Sequence, residues 1–323
     1  MNPRKETNRL EPHHRHLFKP IENSETGGCH LDIFLPEITK DAPVAMMIHG
    51  GAWSIGGSGH LPPDQITYLL EQGFAVVSPE YRLAPHVKLA ECVEDLLDAY
   101  RFVQNGLNQV LGTELDTKRT CVMGWSAGGT GTLLLTDAIL RNGLERPRAI
   151  MPTYPKTDNE RGWNEPMQAF TDALTSEEKV ALDKLMAEPV CTNYPIKQDT
   201  FFKGTDPRII WARATMRTKT LNTWLCGQDS PYPKSVNPMD VVNGDFPPTL
   251  VIVATEDKLI DPAESYDVVN KLKSVGVDAR YLEARGMTHG IAEDGRETWP
   301  EDQDWWNEAI LPGLEWIVKM TRA

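Results

Sequence analysis

The chain has 323 residues, 40% of them hydrophobic and 24% charged, with 24 glycines and 24 prolines, a composition that excludes fibrous, low-complexity and fully disordered classes. Its net charge of -13 repels phosphate backbones and anionic headgroups, so nucleic acid and membrane surfaces are not expected partners. The five cysteines are scattered without a C-x-x-C pair, which argues for reduced thiols and against a zinc ribbon or disulfide framework.

The first twenty residues carry Arg4, Lys5, Arg9 and Arg15 but no apolar core behind them. They do not read as a secretory signal, and a cytoplasmic location is the expectation. Apolar runs such as Val44 to Ile48 and Leu250 to Ala254 fall far short of the roughly 20 residues needed to cross a bilayer. Beyond the terminus, short β-rich runs alternate with helical patterns, the mark of a mostly parallel sheet flanked by helices. In chain order the spacing predicts strands at Cys29 to Leu35, Val44 to His49, Ala75 to Pro79, Thr120 to Gly124, Ala149 to Thr153, Thr249 to Ala254 and Asp278 to Glu283. Helices are expected at Pro63 to Gln72, Leu89 to Val103, Ala127 to Leu140 and Pro262 to Val275, and from Asp302 to Met320 with a kink or split at Pro312.

The alternation breaks between about Tyr154 and Val242, where helical period appears without a core strand. Asn164 to Ala187 and Pro207 to Leu225 are its expected helical pieces. The organisation expected is a single α/β domain over 1–323. Its core spans about 21–153 and 243–323, and a helical insertion spans 154–242, with 1–20 a candidate addition to the insertion. A separate helical domain is the alternative.

Gly124-Trp125-Ser126-Ala127-Gly128 follows a β-like run and opens a helix. A nucleophile on so sharp a turn leaves no room for flanking side chains, and the helix behind it favours negative charge. Upstream, His49-Gly50-Gly51-Ala52-Trp53 ends an apolar strand, and its glycines free backbone N–H groups to point at a ligand oxygen. A serine nucleophile needs a base and an orienting acid downstream. Thr255-Glu256-Asp257-Lys258 follows a strand and offers Asp257, with Asp261 and Glu256 as competitors, Asp261 being well placed to cap the next helix. His289 is the histidine that lies beyond this acid. His13, His14 and His16 read as a polar terminus, and no metal is expected.

The set His49-Gly50-Gly51, Tyr81-Arg82-Leu83-Ala84-Pro85, Gly124-Trp125-Ser126-Ala127-Gly128-Gly129, Asp257 and His289, in that order, resembles the hormone-sensitive-lipase-like branch of the α/β-hydrolase superfamily from about Leu31 onward. The resemblance implies an α/β-hydrolase fold, Ser126 attacking, His289 shuttling the proton and Asp257 orienting it. Backbone donors at Gly50, Gly51 and Ala127 would form an oxyanion hole, and no cofactor would be needed. Two positions depart from the family. Ala52 replaces its usual third glycine, giving a loop similar to that of kynurenine formamidases, and Trp125 replaces its common Asp, with the indole expected beside the elbow. Tyr81 and Arg82 are expected to brace the elbow or the oxyanion loop.

By the same resemblance, 154–242 would form a cap over the site. Trp53 and Trp125, with Trp163, Met167, Phe170, Phe201, Phe202, Trp211 and Trp224, would line an apolar pocket, unless the last seven form the cap's own core. The function expected is that of a serine esterase on small to medium, fairly apolar esters, acting as monomer or homodimer. The alternatives are an arylformamidase, an acyl-transfer or offloading hydrolase, and a non-catalytic ligand-binding protein.

Overall fold

A computed structural model describes residues 10–161, 174–195, 205–293, 299–300 and 303–323. Eight strands form one sheet in the order β1-β2-β4-β3-β5-β6-β7-β8. They are β1 (His14–Pro20), β2 (Gly28–Phe34), β3 (Pro43–Ile48), β4 (Ala75–Pro79), β5 (Asp116–Trp125), β6 (Ala149–Thr153), β7 (Thr249–Ala254) and β8 (Ala279–Ala284). β1 and β2 pair antiparallel with each other, as do β2 and β4, while every pairing from β4 through β8 is parallel.

The parallel strands β3, β4, β6 and β7 bury both faces, so their sequences are apolar runs rather than alternations. In β3, Val44, Met46 and Ile48 enter one core and Ala45 and Met47 the other. The first core packs under α2 (Leu89–Asn105), which the short α3 (Leu107–Leu111) follows, and α4 (Ala127–Arg141), the second under α1 (Pro63–Glu71) and the C-terminal helix Leu311–Arg322. Full burial of such a side chain contributes about 1.5–3 kcal/mol, which anchors the strands whose ends carry the site. The C-terminal pattern changes character at Pro312, with a π-helical turn at Trp306–Ile310 giving way to α-helix from Leu311.

One expectation about the terminus needs correction. Within the described part of 1–20, His14–Pro20 becomes an edge strand on β2 rather than part of the inserted helices. Its burial is mixed and its residues polar, which hid it from a search for apolar runs. Arg15 fixes it, donating to Asp32 at 2.6 Å and to buried Glu80 at 2.5 Å. His13 and His16 serve the same packing: His13 Nδ1 accepts from the Leu35 N–H, and His16 stacks on Phe102.

Between β6 and β7 the described residues hold α5 (Ser176–Ala187), α6 (Pro207–Arg217), α7 (Leu221–Cys226), a 3-10 turn at Lys234–Val236 and α8 (Pro238–Val241). The expected helix from Pro207 to Leu225 breaks in two at Lys219, whose φ of 57° a helix cannot hold. Of the apolar residues expected to line a pocket, Trp163, Met167, Phe170, Phe201 and Phe202 lie outside the described residues. α9 (Pro262–Ser274) follows β7 and begins at Asp261, whose carboxylate caps it by accepting from Ala263. The five cysteines are free, and burial pushes the Cys121 thiol up to about 12. No described helix is long and apolar enough to cross a membrane.

Candidate active site

In a parallel sheet, loops leaving the carboxyl ends of neighbouring strands converge on one edge. The register does this here. Ile48 lies beside Gly124, Trp125 beside Thr153, and Ala254 beside Ala284. The chain segments after β3, β5, β7 and β8 therefore leave the sheet together, bringing in Gly50, Ser126, Asp257 and His289.

Ser126 heads α4 with φ 53° and ψ -118°, a conformation that costs an L residue on the order of 1–3 kcal/mol and is kept only when the surroundings fix it. The Ser126 N–H donates to Thr153 O at 3.0 Å. Gly128 lets α4 start against the strand beside it, since a Cβ there would stand 2.1 Å from Ile48 O. The result is a serine 8% exposed on a tight strand-to-helix turn.

His289 Nε2 lies 2.8 Å from Ser126 Oγ. Its Nδ1 lies 2.6 Å from Asp257 Oδ2. The other oxygen, Oδ1, accepts the N–H groups of Leu259 and Ile260 at 2.8 and 2.9 Å, which locks the carboxylate's plane. Both competitors are placed elsewhere: Asp261 caps α9, and Glu256 is turned to solvent against Lys258. Tyr154, with φ 35°, packs its ring 4.9 Å from that of His289.

The loop after β3 is equally constrained. Gly51, Ala52 and Trp53 all have positive φ, at 109°, 52° and 62°. Only the first is a glycine, so two residues carry strain. Ser54 and Ile55 each return an N–H to Gly51 O at 3.0 Å, closing a tight turn directly after Gly50 and Gly51. Ala127 opens α4, where the first N–H groups have no helical acceptor.

A narrow pocket, partly open to solvent, adjoins the serine. Ala52 and Trp53 line it from the β3 loop, Ser126, Ala127 and Thr130 from the elbow, Lys156, Asn222 and Leu225 from the segment between β6 and β7, and Ile260 from the acid's loop.

Trp53 lines this pocket, and Trp125 does not. Its indole is 0% exposed and belongs to the core on the sheet face opposite Trp53, because successive side chains of β5 alternate in direction. Trp211 and Trp224 also stay away from the pocket, packing edge to face on each other at 6.0 Å.

Across its central three quarters, residues 31–272, the chain matches the BD-FAE family. It belongs to that family. Among curated relatives, this BD-FAE chain is 25% identical over 330 residues to the non-reducing polyketide synthase Preu6 of Preussia isomera, covering 93% of this chain and 15% of that protein. It is 29% identical over 320 residues to the 5-methylorsellinic acid synthase of Aspergillus terreus, covering 86% of this chain and 12% of that protein. The BD-FAE chain therefore spans about one seventh or less of the length of these relatives.

Among solved structures, an α/β-hydrolase superfamily protein from Enterococcus faecalis superposes with a TM-score of 0.69 at 16% identity, covering 97% of this chain and all of that one (100%). Carboxyl esterase 2 of Tuber melanosporum gives 0.63 at 20% identity, over 94% and 86% of the two chains. The fold is that of an α/β hydrolase.

Tyr81, expected to brace the elbow or the oxyanion loop, stacks on His49 with ring centroids 4.3 Å apart. Sequence reasoning missed two other groups around this centre. Lys156, on the pocket wall, forms a buried ion pair with Glu264 at 2.5 Å, and Arg208 reaches from α6 to the β3 loop. Nothing in the residue pattern marked either.

Proposed function

We propose that this BD-FAE chain is a serine hydrolase of carboxylic esters carrying small to medium, fairly apolar acyl groups. The observation that carries the reading is the continuous relay Asp257 Oδ2, His289 Nδ1, His289 Nε2, Ser126 Oγ, with contacts of 2.6 and 2.8 Å.

In the proposed reaction His289 Nε2 takes the Ser126 proton as Oγ bonds to the substrate carbonyl carbon. The oxyanion so formed accepts from backbone N–H groups of Gly50, Gly51 and Ala127. His289 then returns the proton to the leaving alkoxide, whose bond to carbon breaks, leaving an acyl-enzyme. A water gives its proton to His289 and adds to the acyl carbon, and collapse restores Ser126 and releases the acid. Asp257 holds the imidazole and balances its transient positive charge. The segment between β6 and β7 acts as a cap, because Lys156, Asn222 and Leu225 close one side of the pocket.

A second reading keeps this chemistry and changes the leaving group to a thiolate. The polyketide synthase and the 5-methylorsellinic acid synthase among the relatives favour it. An arylformamidase would share the machinery as well. A binding role without catalysis is disfavoured by a histidine seated at hydrogen-bond distance from the serine.

The deciding experiment measures intact mass after fluorophosphonate treatment, together with turnover of a p-nitrophenyl ester length series, N-acetylcysteamine thioesters and N-formylkynurenine. One adduct on Ser126 with preferred ester turnover supports the first reading. A preference for thioester selects offloading, and dominance of the formamide selects the arylformamidase. No adduct on folded protein overturns all three.

A further inference from the structure

We propose that Arg208, carried by the cap, is a positioning residue for the oxyanion loop. The inference rests on the oxyanion role given above to Gly50 and Gly51.

Arg208 is the second residue of α6 and only 3% exposed. Buried cations ordinarily sit against carboxylates. This one directs Nη1 to two main-chain carbonyls, Ala84 O at 2.6 Å and Ser54 O at 3.0 Å. Charge-assisted bonds of this kind are among the stronger ones available to a backbone acceptor. The Ala84 N–H in turn donates to Trp53 O at 2.9 Å. The guanidinium thereby ties together both ends of the Trp53-Ser54 peptide neighbourhood.

Those contacts act on the residues that need them. Ala52 and Trp53 hold left-handed backbone at φ 52° and 62°, which persists only under constraint from outside. Ser54 passes the constraint on, since its N–H donates to Gly51 O at 3.0 Å and so fixes the Gly51–Ala52 peptide immediately after the Gly50 and Gly51 donors. The cap grips the loop again two residues later, where Gly56 and Tyr194 exchange main-chain bonds of 2.8 and 2.7 Å. Arg208 itself is oriented by Asp206, which accepts its N–H at 3.1 Å, and lies 5.9 Å from the centre of the Tyr194 ring. Without the guanidinium, two buried carbonyls lose their donor and the strained turn loses its tether.

The test compares the unmodified full chain with Arg208→Met, Arg208→Lys and, as a control on the same helix, Arg217→Met, which removes an ion pair to Glu178 inside the cap. Each is assayed for kcat and KM on p-nitrophenyl butyrate and for inhibition by an alkyl trifluoromethyl ketone, whose adduct oxyanion occupies the hole. Circular dichroism reports folding. We expect Arg208→Met to lose about 10- to 100-fold in kcat with KM within about twofold, by analogy with loss of an oxyanion donor. The ketone's inhibition constant should rise by the factor that kcat/KM falls. Arg208→Lys, with a single ammonium in place of the fork, should lie between, and Arg217→Met should match the unmodified chain.

Unchanged kcat in a folded Arg208 variant, a loss confined to KM, or lost kcat without lost ketone affinity each overturns the proposal. If Arg208→Met does not fold, the lysine variant decides by the same criteria. If neither folds, Arg208 serves the fold, and the positioning role is wrong. Absence of turnover by the unmodified chain is a different failure, of the hydrolase reading itself, and removes this inference with it.

Discussion

Tyr81 lies flat on His49, their rings 4.3 Å apart and 6° from parallel, and its hydroxyl donates to His49 O at 3.2 Å. His49 Nδ1 sits 2.7 Å from Gly50 O. The pair forms a sealed brace under the loop that carries Gly50 and Gly51. Burial pushes the His49 imidazole down to about 3, so it is neutral in the fold and Nδ1 carries the hydrogen that Gly50 O accepts.

This brace has a pH signature. The unfolded state takes up a proton on His49 below about pH 6.5, and the folded state does not, so stability is full above that pH and falls as acid is added. The loss should reach about 2 kcal/mol at pH 5, each pH unit being worth about 1.4 kcal/mol. Urea unfolding at pH 7 and pH 5 of the unmodified chain and of His49→Asn should show a smaller acid loss in the variant by about that amount. Equal losses would mean that His49 is protonated in the fold.

Substitutions in the relay should separate chemistry from binding. Ser126→Ala should abolish the fluorophosphonate adduct and lower kcat by at least about 10³-fold, and Asp257→Asn should lower it by about 10²- to 10⁴-fold with KM little changed. A residual adduct in Ser126→Ala would place the nucleophile elsewhere.

Gly128→Ala should cripple folding rather than catalysis. A single methyl would stand 2.1 Å from Ile48 O and 2.6 Å from His49 O, both backbone atoms that cannot turn aside. A loss of at least about 3 kcal/mol is expected, read as a lower urea midpoint or as insoluble protein. A stability equal to that of the unmodified chain would show that α4 can lift off β3.

The buried pair Lys156 and Glu264 makes a further prediction. Burial presses the lysine down and the carboxyl up, each opposed by its partner. Lys156→Met should cost about 3–5 kcal/mol, because it strands a buried carboxylate. Adding Glu264→Gln should recover much of that, since the amide oxygen can still accept the Thr157 and Asp158 N–H groups now bonded at 2.8 and 3.0 Å. Urea unfolding of the single and double variants checks it, and a double variant no more stable than Lys156→Met would show that the pair's charge is not what matters.

The core was legible because buried parallel strands leave a strong trace. Ala75–Pro79, Ala149–Thr153 and Thr249–Ala254 fall where their apolar runs put them. β1 left no such trace, being a polar edge strand held by Arg15, Asp32 and Glu80 through contacts across 17 and 65 residues of sequence. Trp125 left a misleading trace for a related reason. A tryptophan beside a nucleophile reads as pocket lining until the alternation of β5 turns its indole to the other face.

By itself, then, the sequence determined the residue types and their order: a serine between glycines after a strand, an acid after a later strand and a histidine after the next. These are local facts, written in turns that admit few side chains. Only the tertiary structure decided that they meet. Parallel register carries four strand ends to one edge, which sets Ser126, His289 and Asp257 within 2.8 and 2.6 Å of one another. It also decided that Arg208, 154 residues beyond Ser54, grips the loop from above. A contact between a guanidinium and a backbone carbonyl has no residue-type signature in its acceptor, so no pattern in the chain could announce it.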